Sequence, residues 1–290
     1  MPPDSPPSST PPGRPSPRNR GRSDPPTITS AANPAIALVR ALGRRDRRAA
    51  EGAFVVEGVR AVRDALAHGA VPRLVLLRQG AREALAALPT APAFPVRRVE
   101  TRLFDRLSDV QNPQGLLAVF PIPQLPLDPS VAAPLVLVLD HLRDPGNLGT
   151  LLRAAAGAGV NAVYLSPETV DPWNPKVVRA GMGAHFRVPL RLLETATLDE
   201  LRTLLPRRFI ASAEATCSYD AVDWAGPAAL VIGGEADGVG PALLAWGTET
   251  VRIPLASGVE SLNAAVAGAV ILFEAARQRR HGTDQEIRQA

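Results

Sequence analysis

Residues 135–140 read LVLVLD, an unbroken apolar run that stops at an aspartate, and strand-like segments follow at NAVYLS, RFIASA, AALVIGG and VRIPL. Stretches with helical spacing lie between them. Strands joined through helices run parallel, and a strand without a polar face has to be covered on both sides. The second half of the chain is therefore expected to be α/β, a largely parallel sheet with helices on both faces. Its last helix, apolar on one side, is expected from about Ser261 to Arg280.

The first half has a different texture. Residues 1–29 mix Pro, Ser and Arg and cannot bury a core, so they are expected to be a disordered tail. Residues 30–120 carry helix patterns at IALVRAL, VRAVRDALAHG, AREALAAL and RLFDRL, with strand patterns at AFVVEG, RLVLLR, VRRVE and GLLAVF, which predicts a small α/β domain. A proline-rich linker is expected over 121–130, a second domain over 131–281 and a C-terminal tail over 282–290. Since each segment has its own pattern, a chain starting near Val131 is expected to fold alone.

Composition removes several classes. A chain of 290 residues with 46% hydrophobic residues can bury a sizeable core. Its most apolar run, Ala264 to Phe273, is too short to span a bilayer. The opening MPPDSPPSSTPPGRPSP has no apolar signal-peptide core. A single cysteine, Cys217, excludes an intrachain disulfide and a cysteine-cluster zinc site, and the cytoplasm is the expected compartment. His68, His141, His185 and His281 are scattered without ligand spacing, so no metal is expected. The net charge of +4 rests almost wholly on arginine, Lys176 being the only lysine. Much of that reflects a preference for arginine over lysine in this chain, yet guanidinium groups suit phosphate.

Four polar clusters sit near strand ends: DPGNLGTLLR, DPWNPKVVRAGMG, GGEADGVG and IPLASGVESLN. Ligands of open parallel sheets bind at the carboxyl ends of strands. The first cluster, between a strand and a helix, lacks the glycine spacing of a dinucleotide site, and the chain has neither a Walker A loop nor a nucleophile elbow. Singly, each cluster has two readings. Asn147 caps a helix or faces a ligand. Arg153, between Leu152 and alanines, snorkels or points at a site. Glu235 after Gly233 and Gly234 starts a helix, or the glycines mark a close approach to the backbone. Ser261, Leu262 and Asn263 cap the last helix or line a site.

In this order, the clusters resemble the three signature motifs of the SpoU (TrmH-like) family of RNA ribose methyltransferases. Asn147, Gly149 and Arg153 match the first motif; Gly233, Gly234 and Glu235 the second; Ile253, Pro254, Ser261, Leu262 and Asn263 the third. Gly181, Ala236 and the pair Ala264-Ala265 depart from the residues common there. The resemblance implies a trefoil-knotted methyltransferase domain preceded by an RNA-binding domain, and a homodimer. It implies S-adenosylmethionine held by main-chain groups around Gly233, Gly234, Ile253 and Leu262. It also implies transfer to a ribose 2′-hydroxyl, with ribosomal RNA favoured over transfer RNA. Arg153 would activate the hydroxyl, with Asn147, Glu235, Ser261 and Asn263 shaping the site. A nicotinamide oxidoreductase and a catalytically silent RNA-binding protein are the rival readings; the first lacks its fingerprint, and the intact polar set weighs against the second.

Overall fold

The computed structural model describes residues 27–289, with side chains through residue 281. Most of the expected disordered tail, residues 1–26, lies outside the described residues. The first half contains β1 (Thr27–Ile28), α1 (Pro34–Ala41), α2 (Arg45–Glu51), β2 (Ala53–Glu57), α3 (Val59–Ala67), β3 (Leu74–Arg78), α4 (Arg82–Ala86), β4 (Val96–Val99), α5 (Thr101–Asp105) and β5 (Leu116–Pro121). They form a mixed five-stranded sheet in the order β1-β4-β3-β5-β2. The end of the expected tail is corrected here. Thr27 and Ile28 pair in parallel with Arg98 and Val99, and Ile28 is buried. Two β-branched residues suffice to add an edge strand, although the proline-rich composition before them hides the signal.

The second half contains β6 (Leu135–Asp140), α6 (Pro145–Ala158), β7 (Ala162–Leu165), α7 (Pro175–Gly181), a 3-10 turn (Ala184–Phe186), β8 (Leu190–Leu192), α8 (Thr195–Leu204), β9 (Arg207–Ala211), β10 (Cys217–Ser218), β11 (Ala228–Gly233), α9 (Pro241–Trp246), β12 (Glu249–Arg252) and α10 (Ala264–Gln289). Its seven strands, all parallel, run in the order β10-β12-β9-β11-β6-β7-β8. The period of two splits β6 between two cores. Leu135, Leu137 and Leu139 pack with Leu148, Leu151 and Leu272 on one face. Val136 and Val138 pack with Leu201, Leu205 and Trp246 on the other. The final helix outruns the expected stop near Arg280 and continues through the expected tail to Gln289.

Between β5 and β6 the chain has neither strand nor helix, yet the two sheets are joined through side chains. Arg48 of α2, only 3% exposed, donates from Nε to Asp171 Oδ2 (2.9 Å) and from Nη1 to the carbonyls of Leu42 and Gly43 (2.9 Å each), while Nη2 also meets Asp171. Trp173 packs on Phe54 with ring centroids 4.8 Å apart, and Phe186 packs on Phe120 at 5.0 Å. Val178 and Phe186 belong to the core beneath the first sheet. The halves share a core that a proline-rich connection gave no reason to expect, which weighs against the expectation that a chain from Val131 folds alone.

His185 lies inside this seam. Its Nε2 donates to the Pro172 carbonyl (2.8 Å), and its Nδ1 is buried without a partner. Gly181 leaves room for the ring, since a Cβ there would lie 2.8 Å from His185 Cε1. Burial pushes the imidazole down to about 4 from 6.5, outweighing the Pro172 carbonyl and the Asp171 charge. The unfolded chain takes up this proton below 6.5 and the folded chain does not, so the stabilisation is complete above 6.5 and is lost as pH falls to about 4. The loss should reach about 3 kcal/mol. Urea midpoints measured across that range should fall in the native protein and fall less in His185→Phe. Equal slopes in the two proteins would exclude His185 as the source.

Candidate active site

The carboxyl ends of β6, β9, β11 and β12 meet at one edge of the parallel sheet. Asp140 ends β6 with its side chain buried. Its Oδ2 accepts from Gly240 N (2.7 Å), and its Oδ1 lies 2.8 Å from His141 Nδ1. A buried carboxylate needs such partners, and here they tie the loop after β11 to the end of β6. His141 is held at φ 54°, an unusual value that histidine tolerates better than most residues. Asp140, His141 and Glu168 each bring one possible ligand atom within 4.8 Å of the others. Of these groups, Asp140 Oδ2 is held by Gly240 N, while His141 Nδ1 is buried without a hydrogen-bond partner.

The second cluster forms a closed loop in which Gly234 and Gly238 exchange both backbone hydrogen bonds, at 3.1 and 2.9 Å. What comes close to the glycines is the chain itself. A Cβ on Gly233 would stand 2.3 Å from the Gly238 carbonyl carbon, and one on Gly234 would stand 2.3 Å from the His141 oxygen. The glycines are thus needed to shape the loop before any ligand is considered. Ala236 sits exposed within this loop, outside the contacts that close it.

The first cluster opens α6. Asp144 is the cap, accepting from Asn147 N (2.7 Å), and Pro145 takes the first helical position. This settles one reading of Asn147, whose side chain is free for other work. Its Nδ2 donates to Glu235 Oε1, and its Oδ1 accepts from Asn263 Nδ2 (3.0 Å). Asn263 Nδ2 also lies 3.3 Å from Glu235 Oε1, while Asn263 Oδ1 accepts from Ala265 N and Val266 N. Asn263 therefore caps α10 and belongs to the cluster at once. Gly149 serves packing: a Cβ there would come within 2.4 Å of Ala180 Cβ, so it lets α7 lie against α6.

Beside the Asn147, Glu235 and Asn263 cluster is a cavity of about 540 Å³ whose lining includes Gly233, Gly234, Glu235, Ile253, Ser261 and Leu262. Ile210, Val251 and Ile271 give it an apolar wall, and Glu214 and Arg252 bring charge. The loop between Ile253 and Asn263 makes one internal backbone hydrogen bond, Val259 N to Ala256 O (3.2 Å). Its other main-chain groups make no further backbone hydrogen bond inside the loop. Volume, apolar wall and polar backbone suit a nucleoside-sized ligand. Glu214, Arg252 and Asp140 were not singled out from the sequence. Only Asp140 left a signal, a carboxylate ending an otherwise apolar strand.

Arg153 is not brought to this cavity. It is exposed on α6 and lines a different cleft, with Arg60, Asp64 and Arg187.

An all-parallel sheet with a polar side-chain triad and a nucleoside-sized cavity at its strand ends defines an α/β protein that works on a nucleoside-bearing ligand. Residues 134–273 match the SpoU rRNA Methylase family, and residues 33–118 match the MRM3-like substrate binding domain. The mouse mitochondrial rRNA methyltransferase 3 is 36% identical over 81% of this chain and 70% of its own length. The Bacillus subtilis 23S rRNA (guanosine(2553)-2′-O)-methyltransferase RlmP is 29% identical over 85% of this chain and 97% of its own. The AdoMet-bound rRNA methyltransferase from Sinorhizobium meliloti superposes with a TM-score of 0.76 at 30% identity, covering 88% of this chain and 98% of that one. The chain belongs to the SpoU family of RNA methyltransferases, whose methyl donor is S-adenosylmethionine.

Proposed function

We propose that the protein transfers a methyl group from S-adenosylmethionine to a ribose 2′-hydroxyl of ribosomal RNA. The observation that carries this reading is the joining of Asn147, Glu235 and Asn263 at the rim of the cavity. The 2′-O specificity in the name of the Bacillus relative supports it. Gly233, Gly234, Ile253 and Leu262 would hold the cofactor through backbone groups, and Ser261 would face it from the same loop. When bound, S-adenosylmethionine supplies an electrophilic methyl group. The triad fixes the rim against which the ribose is aligned, and alignment of an in-line displacement provides much of the acceleration. Residues 30–120 would recognise the RNA, helped by their match to a substrate-binding domain.

The arginine expected to stabilise the developing alkoxide is missing from the cavity of a single chain. We assign it to a second copy, as a homodimer would permit. On α10, Val266, Val270 and Phe273 are 48%, 36% and 47% exposed and share one face. A Cβ on Gly157 would lie 3.3 Å from Phe273 Cζ, and Arg153 is one helical turn before Gly157. Arg153 thus borders the apolar stripe that a second copy would cover. The trefoil path is part of the same reading and rests on the chain's membership of the SpoU family.

Phe273→Asp should convert dimer to monomer in sedimentation and remove most RNA methylation, because burying a carboxylate in the interface is unfavourable. A dimeric, active Phe273→Asp would refute this interface. No helix among the described residues is long and apolar enough to cross a membrane. The lone Cys217 fits a reducing compartment, and we place the protein in the cytoplasm on that basis. Titration with S-adenosylmethionine and with NAD, followed by methylation assays on ribosomal and transfer RNA, tests the reading. Binding of the first ligand alone and labelling of ribosomal RNA are expected; preferential labelling of transfer RNA would reassign the substrate.

A further inference from the structure

A second cleft, about 270 Å³, opens where α3 of the first sheet meets α6, α7 and the 3-10 turn of the second. Three guanidiniums line it, from Arg60, Arg153 and Arg187, against a single carboxylate, Asp64. Asp64 follows Arg60 by four residues and would be its natural helical partner. It is instead turned into the seam, where its Oδ1 pairs with Arg187 and lies 3.9 Å from His68 Nδ1. Its Oδ2 is buried against Gly183, which holds φ 87°; a Cβ there would come within 2.1 Å of that oxygen. Arg60 and Arg153 are left with no hydrogen-bond or ion-pair partner among the described residues. Apart from Met182, the rest of the lining is small, with Ala61, Ala156, Gly157, Gly181 and Ala184 leaving space between the charges.

We propose that this cleft is a seat for a phosphodiester of the RNA strand, gripped by Arg60 and Arg187 beside Arg153. Two unpaired guanidiniums, Arg60 from the first domain and Arg153 from the second, lining one cleft with the Asp64-paired Arg187, suit a tetrahedral oxyanion, which accepts several N–H donors at once. The seam between the sheets fixes the backbone positions from which these side chains project. It rests on the reading above and extends it, because Arg153 would then connect the grip on the backbone with the activated hydroxyl one or two nucleotides away. The first domain would thereby contribute to registering the target ribose.

The test uses the full chain and its Arg60→Ala, Arg187→Lys and Arg202→Ala variants, with a short labelled single-stranded RNA as probe; Arg202 on α8 serves as the charge control. Arg60→Ala should weaken RNA binding roughly three- to tenfold and reduce the slope of log affinity against log salt by about 0.7, the value for one lost phosphate contact. Arg187→Lys should weaken binding less. S-adenosylmethionine affinity and melting temperature should be unchanged in both, and Arg202→Ala should match the native protein. Inorganic phosphate in the millimolar range should compete with RNA less well in Arg60→Ala. An unchanged salt slope in Arg60→Ala, or an equal change in Arg202→Ala, would overturn the seat. If the native protein shows the Arg60 signature and never methylates RNA, the seat stands and the proposed reaction fails. If methylation is intact and the signature is absent, the reverse holds.

Discussion

Arg153→Ala is expected to lower single-turnover methyl transfer by roughly a hundredfold or more while S-adenosylmethionine affinity hardly changes. The guanidinium does not line the cavity at the strand ends of its own chain, so its loss should leave that cavity intact. Its charge is worth most when the 2′-oxygen becomes anionic, which is in the transition state. Arginine has too high a pKa to serve as the base, so Arg153→Lys should recover part of the rate by restoring charge without the planar fork. Near-native single-turnover rates in Arg153→Ala would remove the residue from the mechanism. Mixing Arg153→Ala with an inactive Asn263→Ala chain gives a further check. If Arg153 acts across the dimer, mixed dimers regain one complete site.

A fragment starting at Val131 should fail to fold into a stable particle. Cutting there exposes Trp173, Val178 and Phe186 and strips Asp171 of Arg48. Each of those apolar side chains forfeits about 1.5–3 kcal/mol when fully exposed, and together this is comparable with the whole stability of many domains, about 5–15 kcal/mol. The single substitution Arg48→Ala leaves Asp171 buried without its partner in the intact seam and should destabilise the full chain by about 3–5 kcal/mol. Gel filtration and thermal melting of the fragment decide the matter. A monodisperse fragment melting within a few degrees of the full chain would show that the seam is dispensable.

Some of this architecture is legible in the sequence, and some is closed to it for physical reasons. LVLVLD declares a buried parallel strand because hydrophobicity at each position leaves no solvent face. The Asp144-Pro145 pair is compatible with a helix start, yet the sequence leaves Asn147 open as the cap, and it is the structure that places Asp144 there. The joining of Asn147 with Glu235, 88 residues away, and with Asn263, 116 away, is set by strand order, which a single sequence does not state. The glycines at 233 and 234 signal a close approach correctly, but not that the approaching groups are Gly238 and His141. Arg48 lies in an arginine-rich stretch, RDRR, that looks fully solvated, and its partner is 123 residues downstream. The position of Arg153 is likewise hidden: being on the same helix as Asn147 says nothing about which cleft it reaches.

The most direct test of the central claim is the chemical location of the transferred methyl group. The full chain is incubated with ribosomal RNA and S-adenosylmethionine labelled in its methyl group, and the RNA is then digested to nucleosides. The account predicts label in a single 2′-O-methylnucleoside, with the adjacent bond resistant to alkaline hydrolysis because the 2′-oxygen is blocked. Label on a base, or unlabelled RNA from a protein that binds the cofactor and the RNA, would contradict it.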